Sequence, residues 1–275
     1  MLAAVVPARN EEKSIKKIID TLLGLPFDLI IPVINGCTDN SYGIVMQIKS
    51  PRVAPLYFKE PLGIDVPRAM GAKAALDKGA TAVLFLDGDM DGDIAASLAE
   101  LIAKVNNGAD MALTNCYPGE YQVRTSLLAS FVLKVRSKLN REINLEHVIG
   151  AASPSHGPHA VSRRLLLSIP LKEVAMPPVT LALAAKKGLS VCVGTAVPHR
   201  ALGSPDKDPA HSERIAETII GDCLEAIRVY KNKKRHRSLG AVEYNGYNSC
   251  RRWDLLDDFL GQAGPDKVVA APEQA

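Results

Sequence analysis

Residues 82–93 read AVLFLDGDMDGD, an apolar strand whose carboxyl end carries Asp87, Asp89, Asp91 and Asp93 at every second position. Ligands of open parallel sheets bind at that edge of the strands. Carboxylates crowded there repel one another, and a divalent cation with oxygen ligands relieves the repulsion while phosphate oxygens complete its shell. Asp87 and Asp89, nearest the strand, are therefore the metal candidates. An EF-hand loop opening at Asp87 fails at its twelfth position, Leu98, where a bidentate Glu is required. A phosphatase-type nucleophile loop usually opens its fold, whereas this is the fourth strand. A turn entering a helix explains Asp91 and Asp93 through capping and the helix dipole, but not Asp87. Metal and pyrophosphate binding is the favoured reading.

Upstream of that stretch, β-rich runs at 2–8, 29–34 and 53–58 alternate with helical spacing at 11–23, 39–48 and 66–77, and a fourth helix is expected after Asp93. Such alternation builds a mostly parallel sheet flanked by helices, an α/β class with a Rossmann-like first half. Downstream the rhythm breaks. A fifth strand is expected at 111–116, a long helix at 122–142, a small-residue loop at 149–159 and a helix at 163–168. Pro177 and Pro178 open a helix over 179–187 that Gly188 stops before a strand at 190–193, and 208–231 reads as the last long helix. Beyond lies KNKKRHR and a tail ordered around Trp253 and Leu255 and frayed after Gly264. On the 122–142 helix the basic residues lie off the apolar face, which suits a packing or homodimer helix with a solvated face, or an anionic acceptor or lipid surface.

Of the 275 residues, 47% are hydrophobic and 23% charged, with a net charge of +3, an ordinary globular balance that gives no reason to invoke nucleic acid. Five scattered cysteines without a CxxC pair read as free thiols of a reducing compartment. The first residues lack the basic flank and cleavage site of a signal peptide, and the apolar stretch 127–135 is far short of the ~20 residues a membrane span needs. A cytoplasmic protein is expected, with peripheral membrane contact left open.

Four segments, VVPARNEEKSIKKII (5–19), VINGCTDNS (33–41), LGIDVPRAMGAKAAL (62–76) and FLDGDM (85–90), occur in the order and spacing of family 2 glycosyltransferases, which the chain resembles over its first hundred residues. GPHAVSRRLL (157–166) and VPHRALGS (197–204) are more loosely similar to the retaining glucosyl-3-phosphoglycerate synthase and mannosylglycerate synthase branch. The resemblance implies a GT-A fold with a nucleotide-sugar-binding half (1–115), an acceptor-binding half (116–232) and a C-terminal tail (233–275). It implies a UDP- or GDP-sugar donor, Mn²⁺ or Mg²⁺, and transfer to a small or lipid-linked anionic acceptor.

Carried over by residue, the resemblance puts Pro7, Ala8, Arg9 and Glu11 around base and ribose, although Glu11 equally suits a helix first turn. Asn35, Gly36 and Asp39 would meet the base, with a turn and N-cap as the plain alternative. Ile64 stands where a Lys is common, leaving Asp65 and Arg68 as the only nearby charges; Arg68 matches the family Arg and would partner the donor phosphate or the acidic cluster, with Asp87 and Gly88 also at the nucleotide. His199 would complete the metal site with Asp87 and Asp89, its rival being His211. His156, Gly157 and His159 would approach the acceptor. Asp89, Arg68 and Thr180 are the catalytic candidates, Thr180 because Val179 and Thr180 occupy positions where inverting members carry a Glu-Asp pair. Glu173 is the nearest upstream carboxylate. Two other functions remain open: a non-catalytic nucleotide-sugar-binding protein, favoured by Thr180, and a sugar nucleotidyltransferase, disfavoured because VVPARNEE has no glycine. The tail after about Lys231 is expected to be dispensable for the nucleotide site.

Overall fold

The computed structural model describes residues 1–119, 125–205 and 208–261. Unbroken apolar runs make strands buried on both faces. Accordingly β1 (Leu2–Ala8) and β2 (Leu29–Asn35) are interior strands of the sheet, buried almost throughout and paired in parallel from Ala3 opposite Leu29 to Ala8 opposite Ile34. Between them α1 (Ile15–Leu23) buries Ile15, Ile18, Ile19 and Leu22. The chain continues through α2 (Ser41–Met46), β3 (Leu56–Phe58), α3 (Val66–Asp77), β4 (Ala82–Phe85), α4 (Ala95–Asn106) and β5 (Met111–Asn115). Then come α5 (Leu127–Glu142), α6 (Glu146–Ile149), β6 (His159–Ser162), α7 (Arg163–Ser168), α8 (Pro177–Lys186), β7 (Val191–Ala196) and α9 (Pro209–Tyr230).

The described residues form a seven-stranded sheet in the order β3-β2-β1-β4-β6-β5-β7, in which β6 alone runs antiparallel, between β4 and β5. That strand was not expected. Four residues, HAVS, are too few to carry a periodic signal, and Ser162 is simultaneously the N-cap of α7, its hydroxyl accepting from Leu165 N at 3.0 Å. Two other bounds move. The third strand begins at Leu56, with Val53 making only an isolated bridge to Ile30, and the seventh extends to Ala196. Residues 122–124 of the expected long helix lie outside the described residues.

Odd and even residues of β1 feed separate cores on the two sheet faces. Ala3 and Val5 pack with Met70 of α3, and Ala4 and Val6 with Ile15 and Leu98 of α1 and α4. Helix α3 crosses so closely that a Cβ on Gly71 would lie 2.3 Å from Val5 Cγ1. That contact fixes where α3 begins, and hence where Asp65 and Arg68 stand relative to the sheet edge.

The basic run after α9 is exposed from Lys231 to His236, but two of its arginines tie it to the fold. Arg237 is buried, with Nη1 2.6 Å from Asp222 Oδ1, and Arg235 grips both carboxylate oxygens of Glu173 at 2.6 and 3.1 Å. A hairpin of β8 (Ser238–Leu239) and β9 (Val242–Glu243) follows, and α10 (Trp253–Gly261) packs on α3 and sets Phe259 edge-on to Phe58 at 5.8 Å. Residues after 261, including the segment expected to fray, lie outside the described residues. Among the described residues no helix is long and apolar enough to cross a membrane.

Candidate active site

The carboxyl ends of β1, β2 and β4 open into a cavity of about 800 Å³. Its sheet-edge wall carries Pro7 and Ala8 at the end of β1, Arg9 and Glu11 after it, Asn35 at the end of β2, Arg68 from α3, and Asp87, Gly88 and Asp89 after β4. Backbone sterics hold this wall together. A Cβ on Gly88 would lie 2.9 Å from Pro7 O; the Gly88 N–H donates to that oxygen, and Ser14 Oγ donates to Gly88 O at 2.7 Å. Only glycine lets the two strand ends approach so closely. Asn35, buried, accepts from Leu62 N at 2.6 Å and donates to Gly63 O at 3.3 Å, fastening the loop that leads to α3.

Arg68 is the electrostatic centre. Its guanidinium lies 2.5 Å from Asp65 Oδ1 and 2.5 Å from Asp87 Oδ1, while its Nε is buried without a partner. Burial works against its charge, but Asp87 and Asp65 outweigh that and hold it above the ordinary arginine range. A fixed cation therefore stands beside the Asp87 and Asp89 carboxylates.

Across the cavity, the loop 199–203 is brought to the acidic turn by another glycine contact: Gly92 N donates to Leu202 O at 2.9 Å, and a Cβ on Gly203 would lie 2.3 Å from Gly92 N. His199 thereby joins His156 and Gly157 on the wall, with His156 Nε2 3.1 Å from His199 Nδ1 and the Tyr117 ring stacked on His199 at 6.1 Å. Burial, then Arg136 and His199, push the His156 imidazole well below its usual range, so it is neutral. If His156 accepts the shared proton, His199 Nε2 keeps its lone pair, the form that ligates a metal.

Beneath this wall sits Arg136 of α5, its side chain buried and its Nη2 3.3 Å from Ser155 Oγ. Its Nε has no partner, and among the described residues no carboxylate pairs with it. Burial pushes this guanidinium below the usual arginine range.

Four expected site residues do not line the cavity. Gly36 (φ +59°) packs against Pro61, and Asp39 accepts from Ser41 N, Ser41 Oγ and Glu12 N, which ties the loops after β1 and β2 together. Burial raises the Asp39 carboxyl, but those hydrogen bonds carry it below the ordinary aspartate value. His159 stacks on Phe85 at 5.0 Å in the core, its Nδ1 unpartnered, and burial followed by Arg68 lowers it to about 3. Its strand position turns the ring into the sheet face rather than the cavity. Thr180 is buried in α8 and donates to Glu173 O at 2.8 Å, and the Glu173 carboxylate is taken by Arg235. Neither residue reaches the cavity wall.

Other wall residues were given no site role by the sequence, apart from His211 as the rival of His199. Asp65 lay inside a quoted segment, three residues before Arg68, and could have been found by charge pairing. Ile215 and Ile219 of α9 carry only an ordinary helix pattern. His211 lines the same cavity, its Nδ1 2.7 Å from the hydroxyl of Tyr247, which stands with Cys250 on the wall in a segment expected to be tail. Among the described residues no three His, Cys, Asp or Glu side chains converge into a self-sufficient metal site.

The family model described as glycosyl transferase family 2 matches residues 3–166. The fold is similar to solved structures of glucosyl-3-phosphoglycerate synthase from Mycobacterium tuberculosis. One, in complex with uridine diphosphate, is 18% identical with a TM-score of 0.61 over 91% of this chain and 92% of that one. Another, with Mn²⁺, UDP-glucose and phosphoglyceric acid, is 18% identical with a TM-score of 0.59 over 91% of each chain. A structure described only as a mycobacterial protein is 18% identical with a TM-score of 0.60 over 82% of this chain and 74% of that one. At that identity the likeness is one of fold. No curated protein matches the chain.

Proposed function

The chain belongs to glycosyl transferase family 2, and from that premise we propose that it transfers a sugar from a UDP- or GDP-sugar to a small acceptor bearing an anionic group, with Mn²⁺ or Mg²⁺ at the diphosphate. The observation that carries the reading is the Arg68–Asp87 pair beside Asp89 at the carboxyl edge of the parallel strands, in a cavity large enough for donor and acceptor together.

The donor set suits such a cation. Mg²⁺ and Mn²⁺ take hard oxygen ligands, and Mg²⁺ is commonly held by one or two carboxylates plus substrate phosphates rather than by an all-protein cage. Asp89 and the Asp87 oxygen not held by Arg68 supply carboxylates, and His199 stands on the facing wall. When bound, the ion would neutralise charge that grows on the departing diphosphate. Arg68 serves the same end from the protein side. Two aspartates pre-orient it, so no rearrangement is needed as the charge develops.

Buried Arg136 under Ser155 and His156 supports an anionic acceptor. Arg136 is not itself among the cavity-lining residues, but no carboxylate pairs with it among the described residues, and an acceptor phosphate or carboxylate against Ser155 and His156 would lower the cost of its desolvated charge. The solved relative above was crystallised with phosphoglyceric acid, which makes that compound the first acceptor to try. Exposed Leu127 and Leu128 at the start of α5 keep a lipid-linked acceptor and a membrane or dimer contact among the arms of the test.

Thermal shift with UDP-, GDP- and other nucleotide-sugars, with and without Mn²⁺, followed by product analysis with phosphoglyceric acid, tests the proposal, because a ligand that binds only the native state raises stability by mass action. Nucleotide-sugar binding without product from any acceptor would favour a second reading, a non-catalytic nucleotide-sugar-binding protein. One observation favours it: the wall carboxylates Glu11, Asp65, Asp87 and Asp89 stand with the nucleotide-edge elements, while Thr180 and Glu173 are engaged elsewhere.

A further inference from the structure

Among the described residues Asp65 is the one non-glycine residue of the cavity wall with a positive φ. It sits at φ +60°, ψ −18°, the left-handed region that a residue with a Cβ rarely enters, at the N-cap of α3. An Asp there ordinarily spends its carboxylate on the first free amides of the helix, yet the Asp65 side chain makes no cap hydrogen bond. The carboxylate is instead held between two guanidinium groups, Arg68 Nη1 at 2.5 Å and Arg251 Nη2 at 3.3 Å. Strain of this kind persists only where the surroundings over-determine it.

Arg251 is what over-determines it. The side chain is fully buried. It grips both oxygens of Asp222 on α9 at 2.8 and 2.7 Å and donates from Nε to Ile64 O at 3.3 Å and from Nη1 to Asn248 Oδ1 at 2.9 Å. The next residue, Arg252, donates its N–H to Leu62 O at 2.9 Å, and Gly63, at φ +89°, leaves room for Cys250 O, which a Cβ there would meet at 2.3 Å. On its other flank the same segment is pinned to α9 by Tyr247, whose N–H donates to Thr218 Oγ1 at 2.7 Å and whose ring lies 4.0 Å beneath the Arg214 guanidinium. The segment 244–252 thus spans from α9 to the loop that starts α3, where it makes an exposed ion pair, Arg252 with Glu60 at 2.7 Å, and a buried one, Arg251 with Asp65.

We infer that Arg251 is a positioning residue for the diphosphate site, holding Asp65 in its strained conformation so that Arg68 stands against Asp87. A line of alternating charge, Asp222–Arg251–Asp65–Arg68–Asp87, buried at its α9 end and opening to the cavity at Asp87, runs from the last long helix to the acidic edge. Arg68 cannot swing toward Asp65 or away from Asp87 without unpairing a desolvated carboxylate, so its place is set from the far end of the chain. The C-terminal segment expected to be dispensable therefore helps build the nucleotide site. The inference rests on the nucleotide-diphosphate reading of the cavity.

Calorimetric titration of UDP and of GDP with Mn²⁺ into the full chain tests it. Arg251→Lys keeps a charge beside Asp222, but one ammonium cannot span Asp222, Ile64 O and Asp65 together. Asp65→Asn removes the central carboxylate without changing its shape. Each is expected to weaken nucleotide affinity about 10- to 100-fold, the usual cost of removing a partner that orients a ligating group. In an Arg68→Lys background, where the lysine cannot join Asp65 to Asp87, Arg251→Lys is expected to cost nothing further, because the far end of the line is already broken. A merely structural role moves the melting temperature and leaves affinity and that coupling untouched. Parent-like affinity in folded Arg251→Lys and Asp65→Asn proteins, or an equal loss with and without the Arg68 substitution, overturns the inference. A parent that binds neither nucleotide overturns the donor-site reading, and the inference falls with it.

Discussion

Replacing Arg136 by Met is expected to make the protein more stable and a worse enzyme. Arg136 is 2% exposed, and among the described residues it makes one hydrogen bond, of 3.3 Å to Ser155, and leaves Nε unpartnered. An unpartnered buried donor costs about 1–3 kcal/mol, and one long hydrogen bond returns about 1 kcal/mol. Met is unbranched, follows the same path between α5 and α9 and carries no donor to desolvate. The net gain is about 0–2 kcal/mol, a rise of up to about 8 °C in melting temperature for a chain of this size. An arginine paired with a buried carboxylate behaves oppositely, its truncation costing about 3–5 kcal/mol. Urea unfolding at pH 7 measures the stability arm. For function, inorganic phosphate should raise the melting temperature of the parent and leave Arg136→Met unmoved. With an active donor and acceptor pair, the acceptor KM should rise at least about tenfold, the loss of one charge-assisted contact, with donor affinity unchanged. A variant less stable than the parent by 1 kcal/mol or more, or one with parental KM, would refute the reasoning that this cation waits for an anion.

Asp89→Asn is expected to abolish Mn²⁺-dependent nucleotide binding with the fold intact, whereas Asp91→Asn, whose carboxylate lies 3.9 Å from the exposed Lys17 Nζ, should change affinity little; calorimetry separates the two. His199→Ala should weaken Mn²⁺-supported binding and slow transfer about ten- to a thousand-fold, and a metal-binding loss in His211→Ala instead would assign the ligand to the residue that holds Tyr247. His159 has a folded pKa of about 3, below the 6.5 of the free imidazole, so the unfolded chain binds the extra proton as pH falls. Its contribution is complete above pH 6.5 and is lost on acidification, about 2–3 kcal/mol by pH 4.5. Neutral His156 acts in the same direction. His159→Leu should flatten that acid limb in urea unfolding at pH 7 and 4.5, and an unchanged slope would mean the ring is solvated.

What could be read from sequence follows the range over which each signal acts. The strands β1, β2 and β4 and their intervening helices are local patterns, so residues 1–115 were legible, as was the placement of Arg68, Asp87 and Asp89 at one sheet edge. Strand β6 was not, because HAVS is held in place by pairing with Phe85 and Leu113, far away in sequence. His159 was misread for the same reason: as a loop residue it would face the acceptor, but as the partner of Phe85 in the sheet it faces the core. The C-terminal segment shows the limit most clearly. KNKKRHR reads as a solvated basic run, which it is from Lys231 to His236, and nothing within it records that Arg235 and Arg237 answer Asp222, Glu225 and Glu173, buried on other elements. Those acids could have raised the question, since Asp222 and Glu225 lie on the apolar face of the last long helix with Cys223, Leu224 and Ala226 around them. A carboxylate at a core position requires a cation brought from elsewhere, and among the described residues Arg235, Arg237 and Arg251 supply it. The position of the C-terminal segment is thus set by charges buried before it arrives, and through Asp65 the same arithmetic reaches the residues that would meet the diphosphate.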